Sequence, residues 1–109
     1  MQRMGHVIGI KPERLSEYRE LHRNAWPEVL DGLASVGIRN YTIYVYEPAM
    51  LLFSTWEYAG ENLAADLERL LLLPRMQEWT DLCAPMQNAL PTRSEGEWWQ
   101  RLPEIFHSA

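Results

Sequence analysis

The chain is poor in cysteine, because Cys83 is the only one among its 109 residues. A single cysteine excludes an internal disulfide framework and any multi-cysteine metal site within one chain. Long apolar runs are also missing, and nothing reaches the roughly 18 residues that a membrane span needs. The N-terminal residues 1–13 hold no apolar stretch long enough for a signal-peptide core. These absences predict a cytoplasmic protein in a reducing setting, without a membrane partner.

Clusters of positive charge are missing as well. The formal net charge is −5, and the basic residues are scattered singly. Because binding to a phosphate backbone needs a basic patch, no nucleic-acid partner is expected. Hydrophobic residues make up 47% and charged residues 23% of the chain, which is the balance of an ordinary globular protein. The length predicts a single domain over residues 1–109.

Apolar periodicity predicts the element order β-α-β-β-α-(β). Strands are predicted over 3–10, 38–46 and 50–58, helices over 12–25, 27–36, 61–73 and 74–83, and a short strand around Glu104–His107. Pro27 interrupts the first helical region, because it cannot donate a hydrogen bond to the carbonyl of Arg23. This order is that of a ferredoxin-like α+β sandwich, an antiparallel sheet with helices on one face.

Aromatic residues are plentiful, with five Trp and five Tyr. Such rings often line ligand sites or subunit contacts. In the predicted strand 38–46, Tyr41 shares one face with Ile43, while Tyr44 and Tyr46 lie on the other. One layer of helices covers only one face of a sheet. The second face is therefore expected to meet a ligand, a second subunit, or both.

Tyr18, His22 and Trp26 form the pattern that most suggests a site. Their i, i+4, i+8 spacing predicts three rings along one helical face. Aromatic rings can pack against the apolar face of a sugar, and histidine can act as both acid and base near neutral pH. The alternative is that His22 is an ordinary packed residue and that Trp26 only anchors the kink at Pro27.

Other chemistries have less support. The three histidines His6, His22 and His107 have no metal-ligand spacing. No glycine-rich phosphate loop and no nucleophile elbow occur. Cys83 lies among Leu, Ala and Met residues, which indicates a packed thiol rather than a nucleophile.

Four motifs together resemble the L-rhamnose mutarotase family. They are Y-x-x-x-H-x-x-x-W-P-E at 18–28, N-Y-x-I-Y at 40–44, L-L-F at 51–53 and L-P-E-I-F at 102–106. The resemblance covers nearly the whole chain. It implies a dimeric ferredoxin-like fold with a barrel-like association of two sheets. It also implies interconversion of the α and β anomers of L-rhamnose or a related deoxyhexose, without cofactor or metal.

The same resemblance implies roles for individual residues. His22 would be the proton donor, and Tyr18 and Tyr41 would bind the sugar. Family members carry a Trp-Trp pair that contacts the substrate, and the matching positions here are Glu78 and Trp79. Either Glu78 turns outward and a neighbour fills the gap, or its carboxylate adapts the pocket to a different, more hydroxylated sugar.

Two further functions are compatible with the same sequence. The same architecture also serves cofactor-free oxygenases and proteins that bind hydrophobic small molecules. Alternatively, the aromatic residues only hold a structural dimer together, which predicts Tyr41 and Trp79 between subunits and no concave pocket. The lining of any cavity beside His22 distinguishes these functions from sugar chemistry.

Overall fold

The computed structural model describes residues 1–109, and its elements follow the predicted order. They are β1 (Gln2–Ile10), α1 (Leu15–Arg23), α2 (Pro27–Ser35), β2 (Ile38–Tyr46), β3 (Leu51–Tyr58), α3 (Leu63–Leu71), α4 (Pro74–Cys83), β4 (Gln87–Asn88) and β5 (Gln100–Arg101). Short 3-10 turns precede α1, join β2 to β3 and follow α4. No helix has the length and apolar character needed to cross a membrane. The predicted single domain and cytoplasmic location stay predictions.

The strands form one antiparallel sheet in the order β2-β3-β1-β4, with β5 also paired to β1. This is the order of a ferredoxin-like sandwich, as predicted. In the centre, Ile8 of β1 lies opposite Leu52 of β3. Ile8 is fully buried, and burial of such a side chain stabilises the fold by about 1.5–3 kcal/mol.

The fourth strand of the sandwich is interrupted. β4 pairs Gln87 with Ile10, and β5 pairs Arg101 with His6, both antiparallel to β1. The two pieces thus lie along the same edge of β1, and residues 89–99 leave the sheet between them. The predicted strand around Glu104–His107 is wrong: pairing ends when Leu102 donates to the carbonyl of Gly5, since Pro103 has no N–H to continue it.

The break in the first helical region occurs where Pro27 predicts it, although α1 is shorter than expected. α1 ends at Arg23, Trp26 is extended, and Pro27 begins α2 as its first residue, a position where its missing N–H costs nothing. α2 stops before Gly37, whose φ of 85° is left-handed and suits glycine at a helix end.

A bulge in β2 determines which side chains face the helices. Asn40 has a φ of 52°, and the pairing of β2 with β3 shifts register between Arg39 and Thr42. Side chains alternate along a strand, so Ile38 and Ile43 could not both face the helices without an extra residue. The bulge lets both do so and turns Tyr41 towards the helix layer.

Two buried clusters fill the space between the sheet and the helices. One surrounds Met4 and Tyr58 with side chains from α2, α3 and α4, and the other surrounds Ile8 and Leu52 with side chains from α1 and α4. Trp79 of α4 packs against both clusters. It therefore lies at the centre of the helix-covered side.

The second face of the sheet has no helix over it. Tyr44 and Tyr46 alternate with residues of the core face and are 60% and 55% exposed. The C-terminal tail is also open to solvent, with Ile105 98% and Phe106 81% exposed. This surface matches the apolar second face that the sequence predicts.

Candidate active site

A cavity of about 560 Å³ lies between the sheet and the helix layer. That volume falls within the range of small-molecule sites in proteins. Polar and aromatic groups reach it from the three long strands, from α1 and α4, and from residues 87–99. Those that bear on its chemistry are His6, Tyr18, His22, Tyr41, Ser54, Trp56, Trp79, Thr80, Gln87, Trp98 and Trp99.

His22 presents one ring nitrogen to this cavity. Its Nδ1 lies 2.8 Å from the carbonyl oxygen of Tyr18, so Nδ1 carries a proton and donates it. Nε2 has no protein partner, and no buried side-chain nitrogen or oxygen in the structure lacks one. Nε2 therefore meets the open cavity. Burial lowers the pKa of His22, which makes the neutral ring, with Nε2 as an acceptor, the main form at neutral pH.

Tyr18 lies directly beside His22. The two rings stack with centroids 4.1 Å apart, as expected for residues four apart on a helix. The Tyr18 hydroxyl accepts a hydrogen bond from Nε2 of Gln87 at 3.2 Å, and Oε1 of Gln87 accepts one from Nε1 of Trp98 at 2.7 Å. Burial raises the pKa of Tyr18, so its hydroxyl keeps its proton.

Three nearly parallel rings form the sheet side of the cavity. Trp56 on β3 lies between His6 on β1, with centroids 5.7 Å apart, and Tyr41 on β2, with centroids 6.3 Å apart. Tyr41 reaches this row because of the bulge at Asn40. Burial raises the pKa of the Tyr41 hydroxyl to about 12, which leaves it a hydrogen-bond donor at working pH.

Trp79 and Trp26 occupy different places. Trp79 lines the cavity and packs edge-on against the His22 ring, with ring centroids 5.0 Å apart. Trp26 packs edge-on against Trp79, with ring centroids 5.1 Å apart. The guanidinium of Arg75 covers the Trp26 ring. The predicted line of three rings on one helical face is wrong in its last member. Because α1 ends at Arg23, Trp26 lies behind Trp79 and acts as the anchor of the kink.

A family model described as L-rhamnose mutarotase matches residues 3–108 of the chain. The chain belongs to the L-rhamnose mutarotase family. Enzymes of this family are carbohydrate isomerases that exchange sugar anomers, so the predicted family and enzyme class are confirmed. The predicted roles of individual residues stay predictions.

Individual relatives agree with the family. An L-rhamnose mutarotase from Phocaeicola vulgatus is 30% identical over 107 residues and matches over 98% of both chains. An L-fucose mutarotase from Xanthomonas campestris is 31% identical over 112 residues, which cover 97% of this chain and 87% of the relative. The crystal structure of an L-rhamnose mutarotase from Formosa agariphila superposes with a TM-score of 0.77 at 23% identity, with both chains fully covered. That superposition confirms the predicted fold class.

Glu78 departs from the pattern that the family resemblance implies, and the structure shows where it goes. Its carboxylate pairs with Arg75 at 2.6 Å on the exposed side of α4, and it does not line the cavity. The outward orientation is therefore the one observed. Aromatic surface comes instead from Trp56, Trp98 and Trp99, so no carboxylate from Glu78 faces the cavity of this mutarotase.

Cys83 lines the cavity as a protonated thiol. Burial raises its pKa to about 12, which agrees with the predicted packed cysteine. No group of three or more His, Cys, Asp or Glu side chains comes together in a way that could hold a metal ion.

Several site residues escape sequence reasoning. Gln87 belongs to a stretch that predicts only turns, and Trp98 and Trp99 follow a polar loop. His6 and Trp56 occur in strand patterns, where aromatic and imidazole rings usually indicate packing. The only signal in the sequence was the excess of tryptophan, which indicates a lined pocket without saying which rings line it.

Proposed function

We propose that the chain interconverts the α and β anomers of L-rhamnose or a related 6-deoxyhexose, with His22 as the group that moves the proton. The observation that carries the proposal is the orientation of the His22 ring. Nδ1 is held by the Tyr18 carbonyl at 2.8 Å, and Nε2 is left to the cavity. A fixed imidazole with one free nitrogen is suited to exchange a proton with a bound ligand.

The reaction begins from the neutral imidazole. Nε2 takes the proton of the anomeric hydroxyl, the bond between C1 and the ring oxygen breaks, and an open-chain aldehyde forms. The imidazolium then donates its proton to the ring oxygen. After rotation about the C1–C2 bond the steps reverse and the other anomer closes, so no atom or electron is gained or lost. Well-placed acid–base catalysis of this kind gives about 10²–10⁴-fold, or roughly 3–5 kcal/mol of barrier.

The other cavity groups bind and orient the sugar. Tyr18 and Tyr41 keep their hydroxyl protons and donate to sugar oxygens. Trp79 and Trp56 offer ring surface to the apolar side of the pyranose. L-Rhamnose and L-fucose, the sugars named in the relatives, both carry a methyl group in place of the C6 hydroxymethyl. A cavity lined mainly by apolar side chains favours that methyl.

A homodimer belongs to the same proposal. The helix-free face of the sheet carries Tyr44 and Tyr46, and the tail beside it exposes Ile105 and Phe106. Exposed apolar surface of this kind is typical of a protein contact. Two such faces packed together would give the barrel-like pair of sheets that the family resemblance implies.

A second candidate function is the binding of an apolar small molecule without chemistry. The mainly apolar lining and the volume of about 560 Å³ favour it, since a monosaccharide does not need so much apolar wall. It gives no role to the free nitrogen of His22. A purely structural role is disfavoured, because Tyr41 and Trp79 line a cavity.

Anomer exchange measured by saturation-transfer NMR tests the proposal. L-Rhamnose and L-fucose would be compared with L-mannose, which has the C6 hydroxyl, using wild-type protein, His22→Ala and the control His107→Ala in the exposed tail. We expect faster exchange with the deoxy sugars, normal exchange in the control and a loss of at least about 10²-fold in His22→Ala. Equal exchange by His22→Ala and wild type would exclude His22, and inactivity on all three sugars would favour the second candidate.

A further inference from the structure

Gln87 uses both ends of its side chain within the protein. It lies on β4 opposite Ile10 and is only 7% exposed. Its Oε1 is 2.7 Å from Nε1 of Trp98, and its Nε2 is 3.2 Å from the Tyr18 hydroxyl. A buried amide with a partner at each end cannot rotate without losing both bonds. Gln87 is therefore a fixed link between the loop of residues 89–99 and α1.

The chemistry of the three groups determines the direction of each hydrogen bond. An indole N–H can only donate, so Trp98 must face the amide oxygen of Gln87. The amide nitrogen must then face Tyr18, and because it too can only donate, the Tyr18 oxygen must accept. The hydroxyl proton of Tyr18 is left over, and the structure contains no protein acceptor for it. Tyr18 lines the cavity, so a ligand bound there can supply the acceptor.

We propose that Gln87 and Trp98 are positioning residues that force the Tyr18 hydroxyl to donate into the cavity, where it hydrogen-bonds the ring oxygen of the sugar. This inference rests on the proposed function and deepens it. With Tyr18 committed as donor and Nε2 of His22 as acceptor, one wall offers a donor and an acceptor side by side. Charge that develops on the ring oxygen as its bond to C1 breaks then meets a donor already in place.

The variant Gln87→Glu tests the direction of the bonds with almost no change of shape. Its carboxylate can accept from both Trp98 and Tyr18, so the Tyr18 proton turns away from the cavity. We expect kcat to fall about 10²-fold at pH 8, close to the loss in Tyr18→Phe, with KM changing much less. Asn88→Asp makes the same chemical change at the exposed neighbouring position and should keep wild-type kcat.

The pH dependence separates this role from a merely structural one. When the new carboxyl is protonated, its O–H can donate to Tyr18 as the amide does. The loss of kcat in Gln87→Glu relative to wild type should therefore shrink as the pH falls from 8 towards 5.

Trp98→Phe removes the donor that orients the amide and should lower kcat by a smaller factor, about 3–10-fold, because the Gln87 contact with Tyr18 survives part of the time. Wild-type kcat in Gln87→Glu at pH 8, or a deficit that does not change with pH, would overturn the proposal.

NMR of the wild-type protein tests the same bonds without any sugar. We expect the indole proton of Trp98 to exchange with solvent more slowly than that of Trp99, and the side-chain amide protons of Gln87 to show nuclear Overhauser contacts with the Tyr18 ring. Absence of those contacts overturns the proposal even in an active enzyme. If the contacts are present and no sugar exchanges, the proposed function fails while the positioning of the Tyr18 proton stands.

Discussion

Helix α1 and the interrupted edge strand both supply polar groups to the same cavity, but they hold them in place by different means. On α1, His22 and Tyr18 are four residues apart and are joined by a local bond from Nδ1 to the Tyr18 carbonyl. At the edge strand, Gln87 and Trp98 are brought together only because the loop of residues 89–99 leaves the sheet and returns. One region depends on helical geometry and the other on tertiary packing.

The difference indicates a division of labour. The groups on α1 face the cavity with free acceptor or donor capacity and are suited to react. Gln87 instead uses both ends of its amide within the protein, one bond at each end. Substitutions on α1 should therefore remove a reacting group, and substitutions at the edge strand should change how efficiently the reacting groups work.

The largest effect is expected from His22→Asn. Asparagine can still donate to the Tyr18 carbonyl from the position of Nδ1, but it has nothing in the place of Nε2. We expect kcat for anomer exchange to fall about 10²–10⁴-fold, while the thermal unfolding midpoint changes little. His107→Asn is the control, since His107 is exposed. Normal turnover by His22→Asn would mean that the reacting group lies elsewhere than on α1.

Tyr18→Phe links the two regions and should affect both activity and stability. The loss of the donor lowers kcat about 10²-fold. The amide of Gln87 also loses its acceptor, and an unpaired buried donor costs about 1–3 kcal/mol of unfolding free energy, which urea denaturation can measure. Tyr44→Phe, on the helix-free face of the sheet, keeps the apolar ring that the proposed dimer contact uses and should change neither activity nor unfolding. A stable, fully active Tyr18→Phe would show that the link has no function.

The pH profile should show the reacting group on α1 in the wild-type enzyme. Burial lowers the pKa of His22 in the folded protein, and the neutral form begins the reaction. Activity should therefore be constant near neutrality and fall about tenfold per pH unit once the pH drops below that pKa, which is under the ordinary value of about 6.5. Circular dichroism at each pH distinguishes this loss from unfolding. Activity that rises on acidification would require the imidazolium as the starting form.

The smallest effect is expected at Glu78, which belongs to neither region. Its carboxylate pairs with Arg75 at 2.6 Å, and both side chains are exposed. Exposed pairs contribute about 0–1 kcal/mol to folding stability, and Glu78 does not line the cavity. Glu78→Gln should therefore change kcat and KM for L-rhamnose less than about twofold. A marked change in preference between L-rhamnose and L-mannose would show that Glu78 contributes to the substrate site.

The same contrast explains what the sequence could predict. Helical spacing places Tyr18 and His22 together, and strand alternation places Tyr41 with Ile43, because these patterns are local. Helices and the three long strands follow within a few residues for the same reason. The contact between Gln87 and Trp98, and the row of His6, Trp56 and Tyr41 across three strands, depend on register and on a bulge. Such features are determined by the whole fold, and no local sequence pattern predicts them.

The break between β4 and β5 leaves the register of the core strands untouched, since both flanking pieces pair with β1 on their own. The intervening residues other than Trp98, which bonds Gln87, can thus be lengthened, shortened or exchanged without a rearrangement of the sheet. Because this segment brings Trp98 and Trp99 to the cavity wall, loop grafting here offers a route to new sugar preferences on an unchanged scaffold.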